Sequence, residues 1–341
     1  MNRSPSFAVI SGAQVHQAIA HREAEITDVV RHAYELHGTG ATVNPDSCFL
    51  RFPDRPSSRI IALPASVKGD VDVHGLKWIS SFPDNVAAGI PRASAVLILN
   101  DTETGYPFAC LESSVISATR TAASAALAAR ELSGLRGERS TDVGFVGTGL
   151  IARYIHTYLS GNGFAFKEIG IHDLVAEHAR GFQEYLERTE PGQVTIHDTA
   201  EDLIRSYDLI VFATVAGEPY VTDPRCLAHN PLILHISLRD LSPELILSSY
   251  NVVDDVEHCM KAGTSPHLAE QRAGHRGFVA GTLYDVLAGT VAPPAGQPVI
   301  FSPFGLGVLD LAVAKYVYDR VAASRELHTV PDFFHDMSRY G

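Results

Sequence analysis

The sequence predicts an α/β protein in two parts: a doubly wound parallel sheet and an α+β domain. Three observations carry this reading. From Val143 onward, short apolar runs alternate with helical segments, as a parallel sheet covered by helices requires. The first of those runs leads into a glycine turn that opens a helix. The first third of the chain instead mixes helical and strand-like stretches and contains a hairpin pattern. The expected division is residues 1–133, completed by 306–341, for the mixed domain and 134–305 for the parallel sheet.

The elements follow in order. Residues 14–37 read as helix. Residues 59–63 and 75–79 read as strands, and 94–99 and 106–111 flank a Gly-containing loop, Asp101-Thr102-Glu103-Thr104-Gly105. Residues 114–132 are Ala-rich and helical, with Gly134 expected as the C-cap. Polar residues 135–141 link the domains. Strands are expected at 143–146, 168–172, 194–197, 208–213, 231–236 and 251–256, with helices at 174–188 and 200–206. Residues 299–301 lead into Ser302-Pro303-Phe304-Gly305. A last helix over 308–325 is expected to pack back on the first domain.

The glycine turn is Gly147-Thr148-Gly149-Leu150-Ile151-Ala152. It has the strand–turn–helix context of a dinucleotide fingerprint. One glycine makes the turn, the second lets backbone approach a pyrophosphate, and a small third residue lets helix pack on strand. Leu150 and Ile151 open the helix, whose free N–H groups and positive dipole end suit phosphates. Asp173 ends the next strand about 20 positions on, where an acid can hydrogen-bond an adenosine ribose. Leu174 and Val175 follow it and no Arg does, so NAD is favoured over NADP and a Rossmann domain is expected.

Composition sets outer bounds. A chain of 341 residues suggests about two domains. With 27 Lys+Arg against 39 Asp+Glu the net charge is −12, which argues against nucleic acid or an anionic membrane as partner. Cys48, Cys110, Cys226 and Cys259 are far apart and read as free thiols of a reducing cytoplasm. The polar start, Met1-Asn2-Arg3-Ser4-Pro5, reads as no signal peptide, and no apolar run has the length of a membrane span. The histidines are scattered without metal-ligand spacing, so no metal is expected.

Charges inside apolar elements deserve scrutiny, because burying an unpaired charge is costly. Lys77, Arg59 and Arg120 are such residues; each is either a ligand for an anion or a snorkelling or salt-bridged cation. Asp240 follows the strand at 231–236, beyond a strand's carboxyl end. That is the ligand crevice of a doubly wound sheet, although an aspartate there can also be a turn or helix cap.

Taken in order, these segments resemble the ornithine cyclodeaminase/μ-crystallin family. The resemblance rests on Gly75-Leu76-Lys77-Trp78-Ile79, Asn100-Asp101 with Gly105-Tyr106-Pro107, and Arg120-Thr121-Ala122-Ala123. Gly147-Thr148-Gly149, Ser237-Leu238-Arg239-Asp240 and Gly305-Leu306-Gly307-Val308-Leu309-Asp310 extend it over nearly the whole chain. Arg59-Ile60-Ile61-Ala62-Leu63-Pro64, Arg92-Ala93-Ser94 and Ser302-Pro303-Phe304-Gly305 point within the family to members that form 2,3-diaminopropionate for siderophores and peptide antibiotics.

The resemblance implies a substrate and dimerisation domain, a Rossmann domain, NAD as cofactor and a homodimer. It implies oxidation of N-(2-amino-2-carboxyethyl)-L-glutamate at the glutamate Cα and hydrolysis of the imine to 2-oxoglutarate and L-2,3-diaminopropionate. Arg59, Lys77, Arg92, Arg120 and Phe304 would be substrate-side residues, with the cations meeting a substrate that bears three carboxylates. Asp240 and Lys77 would share acid–base work; Thr214 and Ser237 would contact the cofactor alongside Gly147, Gly149, Leu150, Ile151 and Asp173. Cyclodeaminases follow their aspartate closely with Gly and Lys, where this chain has Leu241-Ser242-Pro243-Glu244. The alternatives are cyclodeamination, alanine dehydrogenation, ketimine reduction, or NAD binding without turnover.

Overall fold

The structure is a computed structural model describing residues 6–137, 139–189 and 192–335. Met1–Pro5, read above as no signal peptide, and the end of the segment expected to complete the first domain lie outside those residues. The chain forms two compact units. One runs to Arg120 and takes up the chain again from Leu306; the other spans Thr121–Gly305. The first division falls inside a helix, ahead of the expected 133/134 boundary.

The first unit opens with β1 (Phe7–Ile10), α1 (Gly12–Ile19) and α2 (Glu23–Gly38). Residues 14–37 are therefore two helices, not one. His21 adopts φ +58°, a left-handed conformation that a right-handed helix cannot run through. A capping box between Ser11 and Gln14 starts α1. Strands β2 (Thr42–Val43), β3 (Cys48–Phe52), β4 (Arg55–Val67), β5 (Val73–Ser81), β6 (Ala93–Asn100) and β7 (Pro107–Glu112) follow, and then α3 (Ser114–Leu135). The expected β6–β7 hairpin is present, with Leu97 opposite Leu111. Gly134 is not the C-cap of α3. Arg136 N still donates to Leu132 O (3.2 Å), and Gly137 takes the positive φ of +87°.

The second unit contains β8 (Asp142–Val146), α4 (Leu150–Gly161), β9 (Glu168–His172), α5 (Ala176–Thr189), β10 (Gln193–Ile196) and α6 (Ala200–Ile204). It continues through β11 (Leu209–Phe212), β12 (Leu232–His235), α7 (Pro243–Leu247), β13 (Tyr250–Val253), α8 (Val256–Cys259), α9 (Ser265–Ala273), β14 (Val279–Thr282), α10 (Leu283–Leu287) and β15 (Val299–Ser302). The strand expected over 251–256 stops early because Asp255 caps α8, accepting from His258 N at 2.8 Å. The chain returns to the first unit with α11 (Gly307–Ala323) and β16 (His328–Val330).

The first sheet has the order β16-β1-β7-β6-β5-β4-β2, with β3 also on β4, and only β1/β7 is a parallel pair. One face is covered by α1, α2 and α11. Val67, Val73, Leu97, Leu99 and Leu111 lie buried beneath them. The last helix thus packs as expected, against β4, β5 and β6. The second sheet is parallel throughout, in the order β10-β9-β8-β11-β12-β15-β13-β14. The chain moves outward one way from β8 to β10 and the other way from β11. The order therefore reverses between β8 and β11, the switch point where such sheets bind ligands.

Candidate functional site

The glycine turn lies at that switch point. Gly147 follows β8 with φ +87°, and a Cβ there would stand 2.7 Å from Ala213 O, just past β11. Only glycine satisfies both constraints. A Cβ on Gly149 would meet no protein atom within 4 Å. Gly149 caps α4 without any side-chain hydrogen bond, leaving the helix N-terminus open, and Leu150 is exposed. An open, uncapped N-terminus beside a glycine with free space above it fits a pyrophosphate. Asp173 stands at the end of β9, where its Oδ2 accepts from Thr148 N (3.0 Å) and Thr148 Oγ1 (2.8 Å). Its Oδ1 accepts from Val175 N (2.9 Å). Partial burial pushes this carboxyl up, but those donors outweigh it and hold it below the ordinary range. Gly147, Gly149 and Asp173 thus lie together at this turn, with Leu150 and Ile151 opening α4, and the open helix N-terminus fits a dinucleotide.

Asp240 is fully buried in the same unit and accepts on both oxygens. Thr214 Oγ1 and Tyr220 Oη (3.1 Å) donate to Oδ1. Ser237 Oγ donates to Oδ2 at 2.5 Å, and His235 Nε2 lies 3.2 Å from the same oxygen. Burial alone would raise this carboxyl, yet the bonds from His235, Ser237 and Thr214 bring it below its usual value. Two expected cofactor contacts, Thr214 and Ser237, are thus tied to the expected acid–base residue. Phe304 lies in this unit also. It lines a small cavity with His235, Ser237, Cys259 and Ser302, and its N donates to Asp254 Oδ1 at 2.9 Å.

The expected substrate cations gather in the first unit. Lys77 on β5 is buried and donates to Asp310 Oδ2 at 2.6 Å and to Ser117 Oγ at 3.2 Å. Arg120 Nε donates to Asp310 Oδ1 at 3.1 Å. Burial brings the Lys77 ammonium down to about 8; Asp310 opposes the shift and Arg120 adds to it. Arg59 lies inside β4 rather than at its start and pairs in register with Ser81, whose Oγ accepts from Arg92 Nη1 at 3.0 Å. Two residues apart in a strand means one face, so Arg59, Lys77 and Ser81 share the face covered by α11.

The sequence profile of the ornithine cyclodeaminase/mu-crystallin family matches residues 8–325. The chain belongs to that family. It is 26% identical over 329 residues to N-((2S)-2-amino-2-carboxyethyl)-L-glutamate dehydrogenase of Staphylococcus aureus, covering 94% of this chain and 96% of the relative. It is 28% identical over 333 residues to alanine dehydrogenase of Archaeoglobus fulgidus, covering 96% and 98%. The solved archaeal alanine dehydrogenase dimer with bound NAD superposes with a TM-score of 0.85 at 26% identity, over 96% of this chain and all of that one (100%). The Rossmann-type parallel sheet and its partner unit are therefore the family fold.

Sequence reasoning missed the residues that organise these groups. Asp310 was visible only as the end of a motif, and its signal was an acid within the apolar run 308–314 that opens the last helix. His235 ends a buried strand, a place where an imidazole needs partners. Tyr220 gave no signal. Among the described residues no group of three or more His, Cys, Asp or Glu could hold a metal ion. No described helix is long and apolar enough to cross a membrane.

Proposed function

We propose that this protein cleaves N-(2-amino-2-carboxyethyl)-L-glutamate oxidatively to 2-oxoglutarate and L-2,3-diaminopropionate, as a homodimer serving siderophore or peptide-antibiotic assembly. At the coarser level it is an NAD-dependent oxidoreductase acting on the CH–NH group of an amino acid; two relatives are named as amino acid dehydrogenases, and the archaeal alanine dehydrogenase is solved with bound NAD. The observation that carries the finer reading is the set of four cations in the first unit: Lys77 and Arg59 on the sheet face under α11, Arg120 on α3 and Arg92 just ahead of β6. Lys77 and Arg120 share a single carboxylate, Asp310; Arg92 donates to Ser81, the residue that stands opposite Arg59 in the β4–β5 register. That is more positive charge than alanine, with one carboxylate, calls for.

Held at the turn of Gly147 and Gly149, NAD+ would supply the hydride acceptor for the glutamate Cα, with water completing the cleavage. Each conjugate consumed with one NAD+ and one water yields 2-oxoglutarate, diaminopropionate, NADH and a proton. Arg120, Arg59 and Arg92 hold carboxylates and so fix the orientation of Cα. Lys77, poised near neutral pH, gives and takes protons at Nζ. Asp240 keeps the Thr214 and Ser237 hydroxyls aimed; with donors on both oxygens it works by orientation rather than as a free base.

Pairing of two copies is supported by the sheet face turned away from α11. Trp78 and Val96 are cross-strand partners there and both are exposed, with Val9 further along the same face.

The test is a set of parallel reactions with NAD+ and the glutamate conjugate, alanine, ornithine or lysine, following NADH. The conjugate is expected to yield NADH stoichiometric with 2-oxoglutarate and diaminopropionate. Consumption of alanine or ornithine with the conjugate untouched overturns the reading. A cyclodeaminase would turn ornithine over with no net NADH.

A further inference from the structure

The buried cluster Lys77–Asp310–Arg120 carries two cations and one anion. Side-chain exposure is 2% for Lys77, 0% for Asp310 and 13% for Arg120, so solvent screens it little. Asp310 gives one oxygen to each cation, at 2.6 and 3.1 Å. The carboxylate therefore acts as a spacer that sets the ammonium and the guanidinium side by side. Lys77 has a further bond to Ser117, and its neighbours on β4 and β6, Leu63 and Leu97, are apolar. Asp310 and Arg120 are thus the charges that face it.

We infer that Asp310 is a positioning residue. It couples the binding of one substrate carboxylate to the protonation of Lys77. The cluster with Lys77 protonated holds one surplus positive charge, which a single carboxylate neutralises. With Lys77 neutral the surplus is gone, and the same carboxylate would enter a site that Asp310 already balances. Carboxylate affinity should therefore hold at low pH and fall as pH rises past about 8, where Lys77 loses its proton. Removing the anion leaves Arg120 unopposed beside Lys77, so the break moves to lower pH.

This inference rests on the proposed role of Lys77 and Arg120 in holding the substrate. The experiment is a calorimetric titration of 2-oxoglutarate into the wild-type holoprotein with NADH across pH 6 to 10, repeated with Asp310→Asn. The wild type is expected to show affinity falling about tenfold per pH unit above a break near 8. Asp310→Asn should shift the break downward by about one unit or more, and Lys77→Met should abolish it. A uniform loss of affinity in Asp310→Asn with the break unmoved makes Asp310 merely structural and overturns the inference. So does a wild type without a break. If Asp310→Asn does not fold, the double variant Lys77→Met/Asp310→Asn removes the pair together and should give a flat profile. If that variant keeps the wild-type break, the inference fails. If 2-oxoglutarate does not bind but L-alanine does, with the same break and the same shift, the substrate reading fails while Asp310 keeps its role.

Discussion

A carboxylate that already holds donors on both oxygens has little freedom to take a proton, and Asp240 is in that position. Its charge is worth keeping because the Thr214, Ser237 and Tyr220 hydroxyls point at it. Asp240→Asn replaces an acceptor oxygen with an NH2 donor. Whichever way the amide is turned, at least one hydroxyl loses its acceptor. The expected cost is about 1–3 kcal/mol of stability, read as a lower Tm, together with a large fall in turnover. On the orienting role proposed for Asp240, the pH–rate profile of the residual activity should keep its wild-type shape. A limb that vanishes in this variant would return the role of base to Asp240. The sequence pointed to Asp240 through its place after a strand, and that place is correct. What the hydroxyls and His235 do to it was not legible, because Tyr220 approaches from a loop 20 positions away in the chain.

At the scale of elements, the β8–α4 turn separates two functions of glycine. Gly147 is required by the backbone: φ is +87° and a Cβ would press on Ala213 O at 2.7 Å. Gly147→Ala should therefore lower Tm, with at least about 1–2 kcal/mol from the left-handed conformation alone. Gly149 has no protein neighbour within 4 Å of its would-be Cβ. Gly149→Ala should lower Tm by less than Gly147→Ala, through the poorer N-cap alone, and weaken NADH binding, measured by fluorescence titration. Full affinity in that variant would place the pyrophosphate elsewhere. This turn was readable from sequence because every requirement is local: strand, glycine, glycine, helix. The helix pair α1/α2 was misread as one helix for the opposite reason. Its interruption is the three residues Ala20, His21 and Arg22, none of them helical and His21 left-handed, conformations that no residue type in that stretch demands. The short strands β1, β3, β14 and β16 were missed because runs of three to five residues carry too little periodicity to stand out.

For the whole molecule, the uncovered face of the first sheet is the feature with the largest consequence. Trp78 is 42% and Val96 43% exposed in a single chain, side by side on neighbouring strands. Trp78→Glu puts a charge at the centre of that face and should convert a dimer to monomer in sedimentation experiments, with the fold intact by circular dichroism. An unchanged oligomer in the variant removes this face as the interface.

The sequence by itself determined the parallel sheet, the position of the dinucleotide turn and the cations worth questioning. Each of these is written in local periodicity or in a short motif, which neighbours in the chain are enough to define. Only the tertiary structure decided who balances whom. Lys77 and Asp310 are 233 positions apart, and Arg120 and Asp310 are 190 apart. No local pattern specifies such a pair. It exists because α11 packs on the sheet and carries an acid to the two cations, and burial then makes their charges depend on one another.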